Sequence, residues 1–343
     1  MNRDDLDAAV EAGIIDNQAR LRLLAFAASR SEGAAGPDNE SFRFLTGFND
    51  IFVTLACILL LVAIGSLLPP LPATAGVAIG SWALAEYFTR KRRMALPSIV
   101  LLLAFVGGVF GFTFLAVTGG GHWGAAMAQF RQTGQVAAIF APLLVAGLAG
   151  AAAAAGHWRR FRVPITLAAG AAGLAIGLVA LAGTLIPSQP TILIACLIAG
   201  LAIFTLAMRY DVSDRLRLSR NTDIAFWLHL LAAPLIVHPV FALSGIVDHP
   251  GPASAAVVLI AYAALTLVAL AIDRRALLVS ALAYVLWALN GLFEAGEVAT
   301  AWGFTALILG SFLVMLSAAW GHLRRRLLAQ LPAPWAARLP AAP

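Results

Sequence analysis

The feature that constrains this chain most is a series of apolar blocks, each about as long as a bilayer is thick. They fall at roughly 51–68, 72–89, 97–118, 136–156, 163–186, 191–208, 223–244, 253–272, 276–293 and 299–320. Crossing the hydrocarbon core takes about 20 apolar residues in a helix. Backbone polar groups in lipid must be satisfied within the segment, so blocks of this kind span as helices. The expectation is an all-α integral membrane protein with ten transmembrane helices. The shorter blocks call for tilt or local thinning of the bilayer. Only 12% of the residues are charged, about half the share of a soluble domain. The first 50 residues hold nine acidic and five basic side chains and no long apolar run. No cleavable signal is expected there, and the span near Ile51 itself serves as the insertion signal.

Charge placement sets the expected topology. With the termini and alternate loops on one side, 22 Lys and Arg residues share that side and only Arg131 lies on the other. Excess basic residues mark the cytoplasmic face, so both termini are expected inside. The net charge of +6 then reflects topology and contact with anionic lipid headgroups, and no nucleic-acid partner is expected. Arginine dominates over lysine and alanine is abundant, which fits a GC-rich bacterium and hence its inner membrane. Cys57 and Cys196 both lie inside blocks, which excludes a disulfide framework and a multi-cysteine zinc site.

Residues 1–41 read as a cytoplasmic helical hairpin and tether, ahead of a membrane domain over 42–343. Asp4 or Asp5 can cap a first short helix and Gly13 can end it. Asp16 can cap a second helix running to about Arg30. A pair of this size is too small for its own core. It is expected to dock through residues 4–30 on the spans, a second copy or a protein partner. The pattern LDAAVEAGIIDNQARLRLLAF, followed by many spans, resembles bacterial polytopic membrane proteins known only as a domain of unknown function. In that group a short cytoplasmic segment precedes eight or more helices. The resemblance implies an integral inner-membrane protein and carries over no catalytic residue.

Landmarks recur in order along the membrane domain. Asn49-Asp50-Ile51 and Thr222-Asp223-Ile224 open spans 1 and 7. Arg92-Arg93-Met94-Ala95-Leu96 and Arg274-Arg275-Ala276-Leu277 open spans 3 and 9. Gly156-His157-Trp158-Arg159-Arg160 and Gly321-His322-Leu323-Arg324-Arg325 end spans 4 and 10. Asp50 and His157 are 107 residues apart, and Asp223 and His322 are 99 apart. This reads as a parallel 4+2+4 internal repeat. Repeat one covers about 49–160, a connecting hairpin 161–210, repeat two about 222–326, and a cytoplasmic tail 327–343. An even number of spans between the copies gives a pseudo-twofold axis along the membrane normal. The rival five-plus-five division would invert the copies, but the landmarks do not pair that way.

Chemistry has few places to sit. Span 7 carries His229 and His238 beside Pro234 and Pro239. An ionisable group inside a span is a functional candidate by default, histidine titrates near neutral pH, and proline frees carbonyls. The two histidines are nine residues apart, half a turn off on an ideal helix, so they cannot form an i, i+4 metal pair. Hydrogen bonding to a neighbouring helix is the structural alternative. Trp227 lies near His229. Asn290 and Glu294 share a face at the outer end of span 9 and can line a vestibule. Glu86 is expected to pair with the Arg90–Arg93 cluster, and Asp50 and Asp223 to act as helix caps. Gly76/Gly80, Gly107/Gly111 and Gly173/Gly177 read as close-packing pairs. Residues 119–135, with Trp123, Met127 and Phe130, can lay a short helix on the outer surface.

No carboxylate is expected mid-membrane, no catalytic or cofactor-binding motif is visible, and no loop has room for a soluble catalytic domain. Three functions are weighed. The first is binding or transport of a small apolar or lipid-like molecule between the repeats, with His229, His238, Trp227, Asn290 and Glu294 as ligand contacts. The second is a membrane scaffold or sensor whose amino-terminal hairpin engages a partner. The third is an intramembrane enzyme that uses histidine.

Overall fold

A computed structural model describes residues 12–22, 48–120, 137–214, 219–245, 252–295 and 300–332, with Val10, Gly124, Met127, Ala128 and Leu339 besides. The chain divides into two units, Met1–Phe42 with Ala342–Pro343, and Arg43–Ala341. In the small unit, Gly13 adopts φ +66°, the left-handed conformation that ends helices, and its N–H donates to Val10 O at 3.0 Å. Asp16 then caps the next turn, accepting from the Ala19 N–H at 2.5 Å. Asp4 and Asp5 lie outside the described residues.

The described part of the large unit is helical throughout. Its helices are α1 (Phe48–Leu67), α2 (Pro70–Ala85), α3 (Ala95–Val117), α4 (Ala137–Phe161), α5 (Ile165–Leu185), α6 (Gln189–Ser213), α7 (Arg220–Leu243), α8 (Pro252–Ile272), α9 (Ala276–Ala295) and α10 (Ala301–Gln330). Eight of them, all but α2 and α9, are long and apolar enough to cross a membrane. Helix α2 has 16 residues and runs into a π-helical turn, Glu86–Lys91. In α9 the apolar stretch among the described residues is the shorter Leu277–Gly291. Large apolar side chains face outward, with Leu59 and Val314 each 70% exposed. Such a surface is at home in hydrocarbon and not in water. Of the segment 119–135 expected to lie on the outer surface, Trp123 and Phe130 lie outside the described residues.

Helices pack mainly on their neighbours in sequence. Helix α3 gathers α1, α2 and α4; α4 lies on α5; α5 and α6 lie on α7; α7 meets α9; and α9 also holds α8 and α10. Small residues set the closest approaches. A Cβ built on Gly173 would stand 2.6 Å from Gly147 O and 2.8 Å from Ala151 N, so α4 and α5 touch backbone to backbone. In α3 the close residue is Gly108, 2.9 Å by the same measure from Ala78 N and Thr74 O. Gly107 faces open space, which corrects the Gly107/Gly111 pairing by one position.

Helix α7 runs unbroken through Pro234 and Pro239. Pro239 has no N–H to offer the Leu235 carbonyl four residues back. That carbonyl instead faces Gly200 of α6, where a Cβ would meet it at 2.9 Å. The freed backbone group is thus covered by a glycine of the next helix, the close contact that weak Cα–H···O interactions use.

The expected caps differ in detail. Asp50 and Asp223 sit within the first turns of α1 and α7, where the positive helix end favours an acid. The α7 cap is Ser219, whose Oγ accepts from the Asn221 N–H at 3.2 Å. Ser219→Ala is expected to cost about 1 kcal/mol, read as a lowered thermal midpoint in detergent.

Candidate functional site

The histidines of α7 turn to different neighbours. His229 is fully buried, and its Nε2 lies 2.8 Å from Asp211 Oδ2 on α6. A carboxylate only accepts, so Nε2 carries the proton and donates. Asp211 is 2% exposed. Its Oδ1 accepts from Arg274 Nη2 and its Oδ2 from Arg274 Nε at 3.3 Å. Arg274, 1% exposed, also donates from Nη2 to Thr222 O at 3.3 Å. The Phe204 ring closes on His229 edge-to-face at 5.2 Å. One buried carboxylate thus ties the end of α6 to His229 of α7 and to the α8–α9 turn, whose Arg274 also reaches the start of α7.

His238 is exposed on the outward side of α7 and bonds through Nδ1 to the Tyr284 hydroxyl of α9, while Phe241 stacks on the Tyr284 ring at 4.4 Å. Trp227 is half-buried in the α5–α6–α7 core. Asn290 is buried in α9. Glu294 belongs to the same helix, but its side chain lies outside the described residues, as does Glu297. The predicted contacts among the described residues therefore do not converge on one site.

Sequence reading missed Asp211 and assigned Arg274 to a loop. Span 6 was expected to end near residue 208, whereas α6 continues to Ser213 and carries Asp211 inward. The available signal was charge content: Asp211 is an acid at a helix end crowded with arginines, and a buried acid there needs a cation.

Two further clusters lie at arginine-rich helix ends. Glu86 contacts Arg90 at 3.3 Å as expected, but its principal partner is Arg160 of α4. Arg160 Nε and Nη2 donate to Oε1 and Oε2 at 2.7 and 2.9 Å, a bidentate fork across helices. After α8, Asp273 takes φ +57°. Its Oδ1 accepts from Trp320 Nε1 at 2.7 Å, with Arg324 Nε 3.8 Å away. Arg324 is buried and donates to Leu270 O at 3.2 Å. The Arg275 guanidinium lies over the Trp320 ring, 4.8 Å from its centroid, a cation–π contact.

Next to this cluster, α8, α9 and α10 leave an open-sided cavity of about 130 Å³. Leu278, Val279, Leu282, Leu313 and Leu316 make its apolar walls, with Arg275, Trp320, Ser317 and Tyr262 as the groups that carry polar atoms. Tyr262 is 4% exposed, and its buried hydroxyl has no hydrogen-bond partner among the described residues. An unmet buried hydroxyl is costly to the fold.

His157 and His322, which occupy similar sequence landmarks, sit in different surroundings. His157 is buried among Trp82, Phe105 and Phe161 and contacts Thr166 Oγ1 at 3.3 Å through Nδ1. His322 is exposed and contacts Arg325 at 3.2 Å. Among the described residues, no three His, Cys, Asp or Glu side chains gather as a metal site requires. Compared with family models, curated proteins and solved structures, the chain matches none.

Proposed function

We propose that this is a ten-span bacterial inner-membrane protein, with both termini in the cytoplasm, that binds a lipid-like molecule in the α8–α9–α10 cavity. The observation that carries the reading is that cavity: apolar walls, an open side and an arginine in its lining. It lies within the second four-helix unit, so the proposed site moves away from His229 and His238. His229 is enclosed by protein and His238 is held by Tyr284. Carriage of the molecule between leaflets is the stronger form of the same reading.

The parallel four-plus-two-plus-four arrangement belongs to this proposal. In its support, α3 gathers α1, α2 and α4, while α9 gathers α7, α8 and α10. In each unit an arginine of the fourth helix approaches an acid at the end of the second: Arg160 with Glu86, Arg324 with Asp273. A left-handed residue, Arg93 or Asp273, stands in the matching turns.

The scaffold reading draws on Ile14 and Leu21, which expose large apolar side chains in the small unit. The enzyme reading has an Asp–His pair to offer, but Arg274 neutralises the carboxylate and the ring is enclosed. A substrate atom has no approach to that base.

The test is extraction of the purified protein and mass analysis of what it retains. About one lipid-like molecule per chain is expected. Ser317→Trp fills the cavity from an exposed position and is expected to lose that molecule, whereas removal of residues 1–41 leaves it in place. Retention unchanged by Ser317→Trp would sink the reading. Loss on removal of residues 1–41 would turn attention to the small unit.

A further inference from the structure

Resting on that reading, we infer that the molecule held in the α8–α9–α10 cavity is a bilayer phospholipid with an anionic headgroup, its phosphate at Arg275 and one acyl chain along the groove. Three observations converge. First, Arg275 sits at the cavity with its guanidinium over the Trp320 ring, and Arg325 and Arg326 are exposed on the next turn of α10. Basic groups of this kind between membrane helices recruit anionic headgroups. Second, Ser317 adds an exposed hydroxyl to the wall. A hydroxyl donates, and a phospholipid offers ester and phosphate oxygens to it. Third, the remaining wall is aliphatic and one side of the groove is open. In a bilayer that side faces acyl chains, so a small groove can take the upper part of one chain while the rest of the lipid stays in the leaflet.

The experiment uses the full chain, stripped of lipid in detergent. It is titrated with phosphatidylglycerol or phosphatidylcholine of identical chains and read by native mass spectrometry. The native protein is expected to retain phosphatidylglycerol about fivefold better, the worth of one arginine beside an anionic group. Arg275→Gln is expected to erase the preference and Arg275→Lys to keep most of it. Tyr262→Phe is expected to raise the thermal midpoint of the stripped protein, because it removes the unmet hydroxyl. Equal retention of both lipids, abolished by Ser317→Trp, would overturn the anionic assignment and leave lipid binding standing. Retention of either lipid unaffected by Ser317→Trp would overturn both. A preference that survives Arg275→Gln in a variant melting like the native protein would overturn the role of Arg275.

Discussion

Arg274→Ala is expected to destabilise the protein by about 3–5 kcal/mol, the cost of leaving a buried carboxylate without its cation. Asp211 is 2% exposed and takes Arg274 on both oxygens. Removing the arginine leaves His229 as its donor from another side chain among the contacts described. Asp211→Leu is expected to cost a similar amount, now by stranding Arg274. The double variant Asp211→Leu/Arg274→Met removes both charges and is expected to recover most of the loss, since buried ion pairs are often replaceable by apolar packing. Chemical unfolding in mixed micelles, arranged as a double-mutant cycle, checks this. Additive losses would mean that the two side chains do not act as a pair. His229→Phe keeps the ring volume and is expected to cost less, because the Arg274 contacts survive.

Gly173→Leu is expected to separate α4 from α5 and to cost about 3 kcal/mol, at the upper end of overpacking penalties. The atoms that a Cβ would meet, Gly147 O and Ala151 N, are backbone and have no rotamer with which to move aside. Gly107→Ala is the internal control. Its Cβ would meet nothing within 4 Å, so it is expected to be neutral or to stabilise by up to about 1 kcal/mol. Thermal midpoints of the two variants in one detergent decide the matter. Equal midpoints would show that the α4–α5 approach is looser than described.

Much of the helical architecture was legible because hydropathy blocks report directly on a bilayer-spanning helix. The Gly13 stop and Asp16 cap were legible for a local reason, since a left-handed residue and an N-cap depend on a few adjacent atoms. Positions depending on tertiary contact were not. Glu86 was assigned to the arginines beside it, because sequence shows Arg90 but not that α4 brings Arg160 alongside. Asp211 was overlooked because its helix outruns its apolar block. The Gly107/Gly111 spacing obeys the expected pattern, yet Gly108 and Gly111 are the glycines that meet α2. A three-residue gap and a four-residue gap both fit one helix face, and only the neighbour distinguishes them. Span 7 held the histidines that sequence singled out, and their partners on α6 and α9 lie 18 and 46 residues away. The cavity left no sequence signal, being made of Leu and Val side chains typical of any membrane helix.

The most direct measurement is a cryo-EM structure of the full chain in discs cut from its own membrane. Elongated density is expected in the groove bounded by Tyr262, Leu282 and Trp320, with its polar end at Arg275. His229 is expected to pack on Asp211 with no density beside the ring. A closed or empty α8–α9–α10 groove, with density beside His229 or His238 instead, would contradict both.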